Sequence, residues 1–234
     1  PGSFYIGDVG YVTWEDLHVL RTSRENFGWP LFEGQTPNTA YQNRETQNPD
    51  APNPLAGGSC PPFFKFEDLI KQETTGSLSF PNPCNTGQQV PLSVDVFEHT
   101  RPALDWRHGQ NQARWGSFDG SGNAVAVNLG DTYNGRTVPG TPFAGNASTG
   151  GVWYQGTDFP SQYRNTYFQG DYGGQWIRNF VFDSNDNLTE VRNFATGTGG
   201  VVALATHPVN GNLYYIEWAS FVRKVTFNAT RPVA

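Results

Sequence analysis

A short unit recurs three times along the chain: strand-forming residues, a polar or glycine-bearing turn, and a second short apolar run. The copies are Phe4-Tyr5-Ile6-Gly7-Asp8-Val9-Gly10, Tyr167-Phe168-Gln169-Gly170-Asp171-Tyr172-Gly173 and Leu213-Tyr214-Tyr215-Ile216-Glu217-Trp218. A unit of this kind makes a small twisted sheet that cannot cover both of its faces alone, so repeated copies must pack on one another, as propeller blades do. The second copy runs on through Trp176 to Phe182, turns at Asp183-Ser184-Asn185-Asp186-Asn187 and returns along Leu188 to Phe194, which predicts a hairpin. The third continues through Phe221 to Phe227. The expected fold class is all-β, with three blades making about half of a closed ring.

Composition agrees. Glycine (27 residues), proline (17) and aromatic side chains (15%) are frequent, whereas charged residues reach only 15%, too few for long amphipathic helices with charged outer faces. Residues 35–92 interrupt the rhythm with Asn48-Pro49-Asp50-Ala51-Pro52-Asn53-Pro54, a Gly-Gly pair and the two cysteines, and read as a long loop insertion. Within it Phe63, Phe66, Leu69 and Ile70 have helical spacing and predict a short helix. Cys60 and Cys84 flank a proline-rich stretch with few other means of holding its shape, which favours a disulfide over two buried thiols. Residues 1–230 thus form one propeller section, and 231–234 resemble the start of a linker.

A net charge of -6 and a pI near 5.1 provide no basic footprint for nucleic acid. No apolar run approaches the roughly 20 residues that span a bilayer, so no membrane insertion is expected. Asn146-Ala-Ser, Asn187-Leu-Thr and Asn228-Ala-Thr are glycosylation-type triplets in turn-like places. With the cysteines they fit a secreted or extracellular protein, the periplasm included.

Standard catalytic motifs are absent: no Gly-x-Ser-x-Gly, no His-Glu-x-x-His, no phosphate-binding glycine loop and no Cys-x-x-Cys. His99 and His108 lie close in sequence, and Asp105 with His108 would supply a carboxylate and an imidazole to one loop, the pair of groups a general base needs. Spacing does not establish that they meet, and a loop held by Arg–Asp pairing is the alternative. Asp183, Asn185 and Asn187 alternate as calcium-loop ligands do but lack the glycine and distal glutamate, so a tight turn is expected. The pairs Phe4-Tyr5, Trp153-Tyr154, Tyr167-Phe168 and Tyr214-Tyr215 read as core packing or as platforms for sugar rings.

Gly7-Asp8-Val9-Gly10, Trp14-Glu15-Asp16-Leu17 and Asn26-Phe27-Gly28-Trp29-Pro30-Leu31-Phe32-Glu33-Gly34 together resemble a signature of the glucose/sorbosone dehydrogenase family. Gly150-Gly151-Val152-Trp153-Tyr154-Gln155-Gly156, Phe159-Pro160-Ser161-Gln162-Tyr163 and Leu204-Ala205-Thr206-His207-Pro208 extend the likeness over most of the chain outside the insertion. The resemblance implies the C-terminal half of a six-bladed propeller, with the other half, or another chain, as a partner. It implies oxidation of a sugar by hydride transfer to pyrroloquinoline quinone (PQQ) beside calcium, the histidine base lying in the first half. By this likeness Gly10 and Tyr11 offer backbone carbonyls to calcium, while Phe27 and Tyr172 belong to the cofactor seat. Where soluble members place cations against the quinone's carboxylates, this chain has Tyr172, Gly200 and Val202. The resemblance also admits a non-catalytic extracellular propeller that binds a glycan or a protein, and a half-propeller serving as a structural unit completed by another copy.

Overall fold

A computed structural model describes residues 2–219 and 221–228. The chain is all-β, built from antiparallel sheets with very short helical turns. In the first sheet Phe4–Asp8 pairs with Trp14–Leu20, which pairs with Leu104–His108, then Ala113–Phe118 and Ala124–Asn128. The second is a four-stranded meander of Ser148–Tyr154, Thr166–Asp171, Trp176–Phe182 and Leu188–Thr196. The third holds Val201–Thr206, Leu213–Glu217 and Phe221–Lys224. Each of the three repeated sequence units is therefore a strand, and the hairpin turning at residues 183–187 forms. In that turn the Asp183 carboxylate accepts the backbone N–H groups of Asn185 and Asn187, both at 2.9 Å, so it is used inside the turn. The 231–234 segment lies outside the described residues.

Alternation along the strands explains the layering. Leu17, Val19, Leu104, Trp106 and Trp115 from the first sheet meet Trp176, Phe180 and Val191 from the second in one core. Tyr154, Phe168 and Ile177 meet Val201, Leu213 and Tyr215 in the next. The second sheet is thus sandwiched, its strands being apolar towards both neighbours. The outer surfaces are exposed among the described residues: Phe4 and Ile6 on a strand paired there along one edge, and Ile216, Phe221 and Val222 at the other end.

The pairing of Leu17 with Leu104 shows that the whole 21–103 segment is an excursion from the first sheet. It contains the interrupted stretch 35–92 and extends beyond it on both sides. The excursion has its own small cores, Ala51, Phe64, Leu69, Val90 and Val94 in one and Leu31, Phe32 and Ile70 in the other. Cys60 and Cys84 are disulfide-bonded with Cα atoms 5.8 Å apart, and Asn53 Nδ2 approaches both sulfurs. The helix expected within 63–71 is a single turn, Phe66–Leu69, between the strands Phe63–Lys65 and Ile70–Gln72. Its start is held by Lys65 N–H donating to Asp68 at 2.9 Å.

Two buried imidazoles stack on aromatic rings of the excursion, His18 from the first sheet and His99 from within the excursion itself. His18 stacks on Phe27 with ring centroids 4.1 Å apart, and His99 stacks on Phe32 at the same distance. Burial holds both neutral, pushed down to about 3 from an ordinary 6.5; for His99 the neighbouring His18 and Arg101 add to the effect. Because these folded-state values lie below the unfolded ones, the unfolded chain takes up more protons between pH 6.5 and 3, and each histidine removes stability as pH falls through that window. Buried carboxyls pushed upward, such as Asp16 and Asp171, act in the opposite sense, so a difference measurement isolates the imidazole. His99→Gln should flatten the acid side of the stability–pH profile by up to about 1.4 kcal/mol per pH unit, read from urea unfolding at pH 4 to 7. An unchanged slope would mean that His99 is protonated in the folded chain.

Candidate functional site

The strands share one end at which the loops 9–13, 108–112, 143–147, 172–175 and 197–200 gather, and buried carboxylates pin these loops. Glu33 Oε1 accepts the backbone N–H groups of Val12 (3.0 Å), Thr13 (2.8 Å) and Trp14 (3.2 Å). Glu15 Oε2 accepts from Ser148 N–H at 2.5 Å and Gly10 N–H at 3.4 Å. Asp171 accepts from the Trp106 indole at 2.8 Å and from the backbone of Asn146 (2.9 Å) and Gly174 (2.6 Å). Burial pushes the Glu15 and Asp171 carboxyls up, and these donors pull them back down. The acids of the Trp-Glu-Asp-Leu, Phe-Glu-Gly and Gly-Asp-Tyr segments are thus the fasteners of the loop face.

Glu33 also dictates how the 10–13 loop presents itself. In a trans peptide the N–H and the preceding C=O point in opposite directions. With the N–H groups of Val12 and Thr13 turned onto Glu33, the carbonyls of Tyr11 and Val12 must point away from it. Neither these oxygens nor that of Gly10 accepts a hydrogen bond among the described residues. Gly10 is needed for this path, since a Cβ there would lie 1.5 Å from the Trp14 carbonyl oxygen.

His108 and Asp105, the catalytic candidates of the sequence, are not brought together. They lie on one strand, Leu104–His108, at an odd spacing, and odd spacing puts side chains on opposite faces. Asp105 faces the excursion, where it accepts Arg114 Nε at 3.0 Å, Arg114 Nη2 at 2.5 Å and Gln35 N–H at 2.9 Å. Burial pushes its carboxyl up while Arg114 pulls it down, so Asp105 is the Arg–Asp fastener that the sequence allowed as the alternative. His108 faces the second sheet, and its Nε2 forms a short hydrogen bond with Glu15 Oε1. The result is a carboxylate-held imidazole with 19% side-chain exposure beside the loop face, the orientation that general-base chemistry uses. Ser148 is not activated by it: its Oγ donates to the Asp16 carbonyl at 2.8 Å and accepts from Gln169 at 3.1 Å.

The remaining predicted residues are dispersed. Phe27 is occupied by its stack on His18. Tyr172 packs edge-on against Trp218, centroids 6.2 Å apart, and its ring covers Gly200, where a Cβ would lie 2.4 Å from it. Tyr11 is 60% exposed and leans on Trp29 at 5.6 Å, and both contact Tyr41. Trp29 and Tyr41 also border a cleft of about 930 Å³ within the excursion. Glu15 as the partner of His108, Glu33 as the organiser of the 10–13 loop and Tyr41 as part of an aromatic cluster were not singled out by sequence reasoning. Among the described residues no three His, Cys, Asp or Glu side chains converge as metal ligands, and no helix is long and apolar enough to cross a membrane. No protein-family model, curated protein or solved structure matches the chain.

Proposed function

We propose that this chain is about half of a secreted β-propeller of the glucose/sorbosone dehydrogenase type, and that it contributes a calcium seat, made from the backbone carbonyls of Gly10, Tyr11 and Val12, to a sugar-binding face. The observation that carries this reading is the convergence of three backbone N–H groups on Glu33, which turns the Tyr11 and Val12 carbonyls away from it, where neither accepts a hydrogen bond among the described residues. Calcium takes neutral carbonyl oxygens as readily as carboxylates, so a seat of this kind requires no acidic cluster. The exposed outer strands, Phe4–Asp8 and Phe221–Lys224, are where further propeller blades, from the rest of a longer chain or from another copy, would pack.

The quinone fits less well. PQQ carries carboxylates that call for charge-assisted hydrogen bonds, each worth about 1.5 to 3 kcal/mol. The positions that would supply them hold Tyr172, Gly200 and Val202, and the Tyr172 ring leaves no room for a side chain at Gly200. These residues do not fit the cofactor, so hydride transfer is not assigned to this chain. The same observation favours a second reading, a non-catalytic extracellular propeller that binds a glycan.

Terbium, which occupies calcium sites and emits when excited through nearby indole or phenol rings, gives a direct test because Tyr11 and Trp29 border the loop. Saturable sensitised emission, displaced by calcium and lost at least tenfold in Gly10→Ala, is expected. Emission that is absent, or indifferent to Gly10→Ala, would overturn the calcium seat. Absorbance titration with PQQ on the same sample should show no saturable binding, and saturable binding would return the chain to the quinoprotein enzymes.

A further inference from the structure

The cleft in the excursion is a separate feature from the loop face. One wall carries the exposed rings of Trp29 and Phe66, 52% and 43% accessible. Trp29 packs against Tyr11 and Tyr41, whose ring centroids lie 5.6 and 5.5 Å from its own. Tyr41 is in turn carried by the turn Thr39–Gln42, which Gln42 Nε2 fastens to the Leu31 carbonyl at 3.1 Å. The indole is therefore a held platform with an accessible surface. Leu31, Leu69 and Ile70 supply the apolar floor.

Around this platform stand polar groups with unused capacity. Arg44 and Asp50 both line the cleft, and neither side chain makes a hydrogen bond or ion pair among the described residues. Asn48 accepts the Asp50 N–H through Oδ1 at 3.0 Å, which leaves its Nδ2 to donate. Glu67 adds an acceptor, its carboxyl held above the usual range by burial. Asp95 is committed to Arg24 at 2.5 Å. The rim thus offers a donor-only group, acceptor-only groups and a free amide N–H beside one aromatic wall.

The geometry points to a neutral saccharide as the occupant of this cleft. A sugar ring has a C–H face that stacks on an indole, and it has adjacent hydroxyls, each both donor and acceptor, that match a rim of mixed polarity. A simple anion would meet Asp50 and Glu67, and a simple cation would leave Arg44 unmatched. The volume suits a ligand of a few rings. The inference is independent of the calcium reading, since it uses side chains of the excursion and not the 10–13 carbonyls.

The test is titration of the full chain in EDTA with maltotetraose, cellotetraose and xylotetraose, followed by tryptophan fluorescence and calorimetry, with choline and galacturonate as charged controls. At least one neutral tetrasaccharide should bind saturably and the controls should not. Trp29→Ala should weaken binding at least tenfold and Asp50→Asn or Arg44→Gln about fivefold, while Trp29→Phe, which keeps a stacking face, should stay within threefold of the parent. Near-ultraviolet circular dichroism establishes that each variant is folded. Absence of binding by all three saccharides, preferential binding of choline or galacturonate, or equal affinity in Trp29→Ala would each overturn the proposal.

Discussion

Replacing Arg114 with methionine should destabilise the chain by about 3 to 5 kcal/mol, the cost of leaving a buried charge without its partner. Asp105 is fully buried, and both of its oxygens are engaged by the Arg114 guanidinium, which also lies over the Trp14 ring at 3.4 Å. With the guanidinium gone, Asp105 keeps only backbone donors, among them the Gln35 N–H at 2.9 Å. Adding Asp105→Leu to Arg114→Met should recover a large part of the loss, because a pair removed together leaves no orphaned charge. The measurement is urea unfolding of both single variants and the double variant, comparing midpoints at constant slope. A loss below about 1 kcal/mol in Arg114→Met would mean that Asp105 is neutral in the folded chain.

Glu33→Ala should cost about 3 kcal/mol and undo the 10–13 loop as a unit, since it strands three backbone donors at once. Glu33→Gln keeps an oxygen at the site but without the charge that strengthens each bond, so its loss should be roughly half as large. Hydrogen exchange at Val12, Thr13 and Trp14 reports the mechanism directly. Their amides should lose protection together in Glu33→Ala while those of Phe168 and Ile177, in the second sheet, keep theirs. Loss of protection throughout the chain would show instead that Glu33 supports the fold globally.

The parts of this architecture that were legible in the sequence are the local ones. Strand-forming residues running into a polar or glycine-bearing turn marked the strands at Phe4, Tyr167 and Leu213, and the Asp183–Asn187 run marked its hairpin turn through its own side-chain chemistry. The Cys60–Cys84 bridge followed from the shortage of other constraints around it. What escaped depends on contacts between distant segments. His108 was set beside Asp105 because the two are near in sequence, yet once that segment is a strand the odd spacing sends them to opposite faces, and the true partner, Glu15, is 93 residues away. Glu33 carries no local sign that its carboxylate will collect the N–H groups of a loop some twenty residues earlier. The helix expected within 63–71 is present but cut short: pairing of Phe63–Lys65 and Ile70–Gln72 with other strands leaves only the four residues Phe66–Leu69 for it.

The direct pairing of Trp14–Leu20 with Leu104–His108 makes the excursion a closed loop hung from two adjacent strands. The entropy of closing such a loop grows only with the logarithm of its length, so doubling it would cost about 0.6 kcal/mol. Having its own cores and its own covalent bridge, the excursion meets the first sheet at its two points of attachment and at a defined set of contacts, chiefly the His18–Phe27 stack, Glu33 on the 12–14 backbone, Gln35 on Asp105 and Arg101 on the Ser117 and Val125 carbonyls. Away from those contacts the excursion can vary in length and surface while the sheets hold their shape, which separates a fixed frame from a part free to change.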